Sequence, residues 1–263
     1  MQVFIYNTGA IPIAQSKLYS KRTREKYPEI DRKAKIPNLV FLLDGEDGRI
    51  LIDAGFSMRH PMGDGLRGQA LTYAYKATPH TEIWPQLRAQ EVRALDYIFL
   101  THPHADHLAG IETRDIPVNQ ICMGKETLSI SLTNWLNYPL HMIKGLNITS
   151  GFPETKEIQP IPLPGHTPGH TGFIAGNVAF VGDALESIVS LDDPRPPKKF
   201  AENIEAKAES VMKLRELAKQ GVLLLSSHDP FLTPTQGQDL LTSPQYSALL
   251  SRQEKVLAQI SSS

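Results

Sequence analysis

The sequence predicts an α/β fold, and three observations carry that expectation. Short apolar runs rich in Val, Ile and Phe alternate with stretches of helical periodicity. Gly, Asn or Asp bound most of those runs, which suits turns between strands and helices. The length, 263 residues, allows one α/β domain over 1–263 with a sizeable core. Residues 2–230 read as its core and 231–263 as a C-terminal helical extension.

Taken in order, Gln2–Tyr6, Leu39–Leu43, Ile50–Asp53, Tyr97–Thr101 and Gln120–Met123 read as strands. Gln159–Leu163 is a further strand, and its two prolines confine it to a sheet edge. Gly172–Ala175 and Val178–Val181 form a hairpin that turns at Gly176-Asn177. Val222–Ser226 is the most apolar strand. A helix is expected from Pro197 to Gln220, since Phe200, Ile204, Ala208, Val211, Leu214 and Ala218 share one face and Gly221 can end it. A last helix starts at Ser243-Pro244, a cap followed by a first-turn proline. The stretch Phe56–Pro79 is poor in strand signals. Its "GDGLRG" matches G-x-G-x-x-G but lacks the strand that a dinucleotide fingerprint needs immediately before it. Leu71, Tyr73 and Tyr75 there suit an apolar lid or core packing equally.

Composition excludes several function classes. Hydrophobic residues at 41% and charged residues at 21% are ordinary for a globular protein. A formal net charge of −1 gives no general pull toward nucleic acid or anionic membrane. The Lys/Arg cluster between Ser16 and Lys35 reads as a solvated face. The one cysteine, Cys122, allows no internal disulfide and no Cys-rich metal site, and its apolar setting suits a buried strand. The N-terminus does not read as a signal peptide and no run approaches the ~18 apolar residues of a membrane span, so the chain is expected to be cytoplasmic.

"THPHADHLAG", Thr101 to Gly110, carries the chemistry. Imidazole nitrogens and carboxylate oxygens are ligands of zinc and other divalent first-row metals. His102 and His104, two apart on an extended segment, can grip one metal; Asp106 and His107 can face a second as the chain turns, before a helix begins at Leu108. Three further candidates, His166 in "PLPGHTPGH", Asp183 in "AFVGDAL" and His228 in "VLLLSSHDP", each follow an expected strand. His60, His80 and His141 read as surface or loop histidines.

In that order and spacing, "THPHADHLAG", "PGHTPGH", "FVGDAL" and "LLLSSHDP", with "LIDAG" at Leu51–Gly55, resemble the metallo-β-lactamase superfamily. The resemblance implies a four-layer αβ/βα sandwich, two mixed β-sheets flanked by helices, with metals at the open edge between the sheets. It implies one divalent ion on His102, His104 and His166, a second on Asp106, His107 and His228, and Asp183 bridging them. Zinc is the expected metal, and iron or manganese suit the same ligands. Asp53 and His170 are expected to support the ligands from behind, and Asp106 to act as catalytic acid/base. A hydroxide shared by two metals would then attack a carbonyl or phosphorus in a small-molecule substrate.

Within the superfamily the chain is most similar to the N-acyl homoserine lactonase-like branch, which allows a homodimer. One departure stands out: Glu186 occupies a position, three after the bridging aspartate, where that branch often has tyrosine. An ionised Glu186 facing the site would repel an anionic intermediate and count against lactone hydrolysis; pointing to solvent, it would not. A glyoxalase II-type thioesterase and a phosphodiesterase are the alternative hydrolases, although glyoxalase II usually has "GHEY" where this chain has "SHDP". An iron-dependent redox enzyme or a non-catalytic metal-binding sensor are the readings of another class.

Overall fold

The computed structural model describes residues 1–14, 17–30, 35–57, 80–133, 147–193 and 200–261. Two sheets dominate them. The larger has six strands in sequential order: β1 (Gln2–Ala14), β2 (Lys35–Gly45), β3 (Gly48–Ile52), β4 (Leu95–Leu100), β5 (Val118–Met123) and β6 (Ile148–Ser150). Pairing is antiparallel from β1 to β3 and parallel from β3 to β6. The smaller sheet runs β10 (Leu223–Ser226), β9 (Val178–Gly182), β8 (Thr171–Ala175), β7 (Ile158–Pro162). Only its β10–β9 pair is parallel. The expected proline-bearing strand is β7, at the sheet edge, and the hairpin turn is the two-residue Gly176-Asn177 link between Ala175 and Val178.

Strand alternation separates three apolar layers. Along β2, Leu39, Phe41 and Leu43 enter a cluster between the sheets, where Phe41 meets Phe180 at a ring-centroid distance of 5.2 Å and Phe99 meets Phe173 at 5.4 Å. Val40 and Leu42 face the other way, into a cluster with Trp84 and Leu87 of α2 (Ile83–Ala89). Burial on both faces is why β2 reads as an unbroken apolar run rather than an alternating one. Outside the smaller sheet, Ala179, Val181 and Leu224 pack with Val211 and Leu214 of α5 (Ile204–Lys219) and Val256 of α6 (Pro244–Ser261). Helices, sheet, sheet and helices make the four expected layers. Among the described residues no helix is long and apolar enough to cross a membrane.

Several bounds differ from those expected. β1 runs on to Ala14, with register shifts between Asn7 and Ala10 and between Ile11 and Ala14 that interrupt its apolar pattern. β6, three residues long, carries too little pattern to be read. α5 starts at Ile204 rather than Pro197, because Asn203 caps it by accepting the Ala206 N–H. The helix expected at Leu108 starts earlier, as α3 (Ala105–Leu108), and continues as a 3-10 turn through Ala109–Thr113. Two short helices, α1 (Lys21–Lys26) and α4 (Lys125–Thr133), are the remaining α-helices among the described residues. Residues 58–79, which carry "GDGLRG", the expected lid tyrosines and His60, lie outside the described residues, as does His141.

Candidate metal centre

The C-terminal ends of β3, β4, β9 and β10 share one edge of the sandwich, and the candidate ligands leave from it. Asp53 directly follows β3 and adopts φ +60°, a left-handed conformation that Asp tolerates better than most residues. Its Oδ1 accepts the Thr101 backbone N–H at 2.8 Å, and its Oδ2 accepts the Thr101 hydroxyl at 2.9 Å. Asp53 thus ties the loop after β4 to the end of β3. Gly110 holds the same loop down from its other end: a β-carbon there would overlap the Ala54 carbonyl.

The sheets are joined at this edge. Leu39 N–H of β2 donates to the Ser227 carbonyl beyond β10 at 2.8 Å, and Thr171 N–H of β8 donates to the Thr101 carbonyl at 3.0 Å. Ligands from both sheets are thereby brought together.

Each ring is oriented through the nitrogen it turns away from the centre. The Nδ1 atoms of His166 and His228 lie 3.0 Å from the Phe200 carbonyl and 2.9 Å from the Pro37 carbonyl; a carbonyl only accepts, so each Nδ1 carries the proton. His107 donates Nδ1–H to Asp53 Oδ2 at 2.7 Å. The Thr101 hydroxyl already donates to Asp53, so it accepts from His102 Nδ1, 2.9 Å away. All four rings therefore turn Nε2 inward, and each offers a lone pair there once it is neutral, the arrangement that metal-binding histidines require.

Two groups form. His102 Nε2 and His166 Nε2 lie 3.0 and 2.9 Å from His104 Nδ1. Asp183 Oδ2 adds a carboxylate oxygen 3.3 Å from His166 Nε2. In the second group, His228 Nε2 and His107 Nε2 lie 3.4 and 3.7 Å from Asp106 Oδ2. Asp183 Oδ1 stands 3.2 Å from each of those two nitrogens, so its two oxygens are divided between the groups. Both groups could hold a metal ion. The donor set fits one: imidazole nitrogens and carboxylate oxygens converge within ligand reach of one another in each group, and His107 Nε2 and Asp183 Oδ1 are buried with no hydrogen-bond partner among the described residues.

Electrostatics separates the groups. Burial, with His107 and His104 nearby, holds His102 well below the ordinary histidine value. Burial likewise depresses His166, despite Asp183. At His228 burial opposes the charge, but Asp183 and Asp106 override it and push the pKa up to about 10. Asp183, with Asp53, raises His107 in the same way. Asp183 itself is held far below the usual carboxylate range because His228 and His107 outweigh its burial.

All seven expected ligand residues converge. Of the supporting residues, Asp53 orients His107, and His170 accepts the Asp183 backbone N–H on Nε2 at 3.1 Å. His170 also stacks on His102 at a centroid distance of 4.9 Å, and burial holds its pKa down to about 3. His80 is exposed and belongs to neither group. Glu186 does not face solvent: it is buried and lines the cavity of about 290 Å³ over the centre, where it pairs with Lys207. Ile11, Leu18, Ile36 and Phe200 supply that cavity's apolar wall. Lys207, Phe200 and Thr101 had no place in the motif reading. Only the position of Thr101, directly before the first histidine, could have marked it.

A model of the metallo-beta-lactamase superfamily matches residues 35–228. A hydroxyacylglutathione hydrolase of Shewanella baltica (strain OS185) is 29% identical over 125 residues, which are 41% of this chain and 44% of that protein. The match thus spans under half of that curated relative. An N-acyl homoserine lactone hydrolase, solved with N-hexanoyl-L-homoserine at its catalytic metal centre, superposes with a TM-score of 0.66 at 22% identity, over 87% of this chain and 93% of its own. A dizinc quorum-quenching lactonase superposes with a TM-score of 0.63 at 18% identity, over 87% of each chain.

Proposed function

The chain belongs to the metallo-beta-lactamase superfamily, and from that premise we propose that it is a dinuclear metal-dependent hydrolase that opens a lactone or another carboxylic ester. The observation that carries the reading is the division of Asp183, one oxygen beside His166 and the other beside His107 and His228. One divalent ion would take His102, His104 and His166, a second Asp106, His107 and His228, and Asp183 would bridge. Nitrogen and oxygen donors without sulfur suit zinc, and accept iron or manganese.

A bound divalent ion supplies Lewis acidity toward a carbonyl oxygen and lowers the pKa of water toward about 7. The chain's own groups do the rest. Asp53, Phe200 and Pro37 fix the rings so that the ligand nitrogens need no reorganisation. Asp106 lines the cavity, and His107 and His228 outweigh its burial to keep its carboxyl ionised. In that ionised form it would serve first as acceptor of a proton from the attacking water and then as its donor to the leaving alkoxide, and a bound cation and substrate would have to raise its proton affinity for that role. The apolar wall accommodates an acyl chain, as a substrate such as an N-acyl homoserine lactone would need.

A second reading, a thioesterase acting on a hydroxyacylglutathione, is favoured by the curated relatives. Metal content per chain and turnover of an acyl homoserine lactone, S-lactoylglutathione, a phosphodiester and a β-lactam test both. About two ions per chain with lactone turnover is the expected result. Thioester turnover alone would favour the second reading, and neither metal nor turnover after adding zinc, manganese or iron would sink both.

A further inference from the structure

Within the cavity wall, Lys207 Nζ lies 2.5 Å from Glu186 Oε1. The Lys207 side chain is 1% exposed and that of Glu186 8%, and both line the cavity. The lysine is seated firmly. Its Nζ also donates to the Phe200 carbonyl at 3.1 Å, the same oxygen that orients His166. The backbone at Gly165 presses on the backbone at Lys207 with no room for a β-carbon. Glu186 Oε1 is thus engaged, while Oε2 carries no hydrogen bond among the described residues. Glu186 stands three residues beyond Asp183, a reach of at most about 11 Å, so a small substrate held at the centre can meet both.

A buried ion pair is weak support for stability, since an apolar pair of equal volume often serves as well. This pair instead creates a fixed acceptor. Resting on the reading of the ligand cluster as the reaction centre, we propose that Glu186 is a specificity-determining residue. Lys207 clamps one carboxylate oxygen, and the other is presented to a hydrogen-bond donor, N–H or O–H, beside the substrate's reacting carbonyl. The substrate class is a neutral ester or lactone with such a donor on the carbon next to the carbonyl. A substrate lacking the donor leaves a desolvated carboxylate oxygen unpartnered, and one with a carboxylate there meets like charge.

Calorimetric binding to the zinc-loaded protein separates these cases, with three acids whose carboxylate stands in for the reacting carbonyl. N-Acetylglycine has the donor, N-acetylsarcosine replaces that N–H by N–CH3, and succinate brings a second carboxylate. The wild-type protein is expected to bind N-acetylglycine about 10-fold more tightly than N-acetylsarcosine, with succinate weakest. In Glu186→Gln the lysine holds the amide oxygen and turns the NH2 to the cavity. The N-acetylglycine preference should fall to near unity and succinate should gain about 10-fold. Should that variant fail to fold because its lysine's charge is uncompensated, Glu186→Leu/Lys207→Met removes both charges and is expected to lose the preference too. A preference absent from the wild type, or unchanged in the variants, overturns the proposal. Turnover of the corresponding p-nitrophenyl esters tells the two readings apart. No turnover with the binding preference intact overturns the hydrolase and leaves the acceptor; turnover without the preference does the reverse.

Discussion

Asp53 and His107 are joined by a 2.7 Å hydrogen bond, carboxylate to Nδ1–H, and both side chains are buried to 1% exposure. Asp53 also holds the Thr101 backbone, so one carboxylate sets both a ring and the loop that bears it. Asp53→Asn keeps the shape and tolerates φ +60°, but presents an NH2 where one of these donors needs an acceptor. The variant is expected to fold and to bind zinc about 10- to 100-fold more weakly, read by competition with a chromophoric chelator. Unchanged affinity would remove Asp53 from the support of the centre.

Metal removal should cost stability. Seven side chains drawn from both sheets meet at the centre, and an ion that binds only the folded state stabilises it by about 2.7 kcal/mol at 100 times its Kd. Scanning calorimetry with and without chelator should show a midpoint several degrees lower without metal, recovered on adding zinc. No difference would speak against a high-affinity centre.

His170 must stay neutral to accept the Asp183 N–H, and burial holds its pKa down to about 3 against an ordinary 6.5. Between those values the unfolded chain binds the proton and the folded one does not. The stability is present above about 6.5 and lost as pH falls toward 3, by up to about 1.4 kcal/mol per pH unit. In chelator, wild type should therefore lose stability on acidification more steeply than His170→Gln, measured by urea unfolding at pH 7, 5 and 4. Parallel slopes would contradict this.

Gly165→Ala tests the clamp between the His166 loop and α5. The backbone there has φ +128°, which L residues rarely adopt, and the new methyl would overlap the Lys207 backbone. The loop must lift, breaking the 3.0 Å bond from Asn203 N–H to the Gly165 carbonyl and carrying His166 away. A loss of about 2 kcal/mol or more is expected, with a metal content reduced by about one ion per chain.

Cys122 is fully buried on β5, and burial raises its thiol pKa to about 11. Native protein at pH 8 should leave a thiol reagent unreacted for as long as it stays folded, then release one equivalent on denaturation. Rapid reaction of the native protein would mean that the inter-sheet layer opens far more readily than its packing implies.

Strands with strong apolar pattern were legible from residues alone, and so were the seven candidate ligands, because strand ends and His/Asp types are local signals; their division between two ions came from the family resemblance. What was hidden depends on partners distant in sequence. Nothing near Glu186 marks Lys207 as its partner 21 residues away. Glutamine is mostly an exposed residue type, and Gln253 lies on α6. It is fully buried and takes the place of a neighbouring strand for β10, accepting from Leu224 N–H at 3.0 Å and donating to the Val222 carbonyl at 2.7 Å. The earlier start of α3 was missed because the histidines read as an extended grip, although Ala105 to Leu108 close a helical turn that brings Asp106 and His107 round to the second group.

The cross-sheet bonds at Leu39–Ser227 and Thr101–Thr171 frame the candidate cluster, and its residues come from both sheets. An ion held there would act as a rivet through the seam. Its escape would require the sheets to part locally, so the rate of isotopic zinc exchange would report how often the sandwich breathes. Denaturant too dilute to unfold the protein should then quicken that exchange.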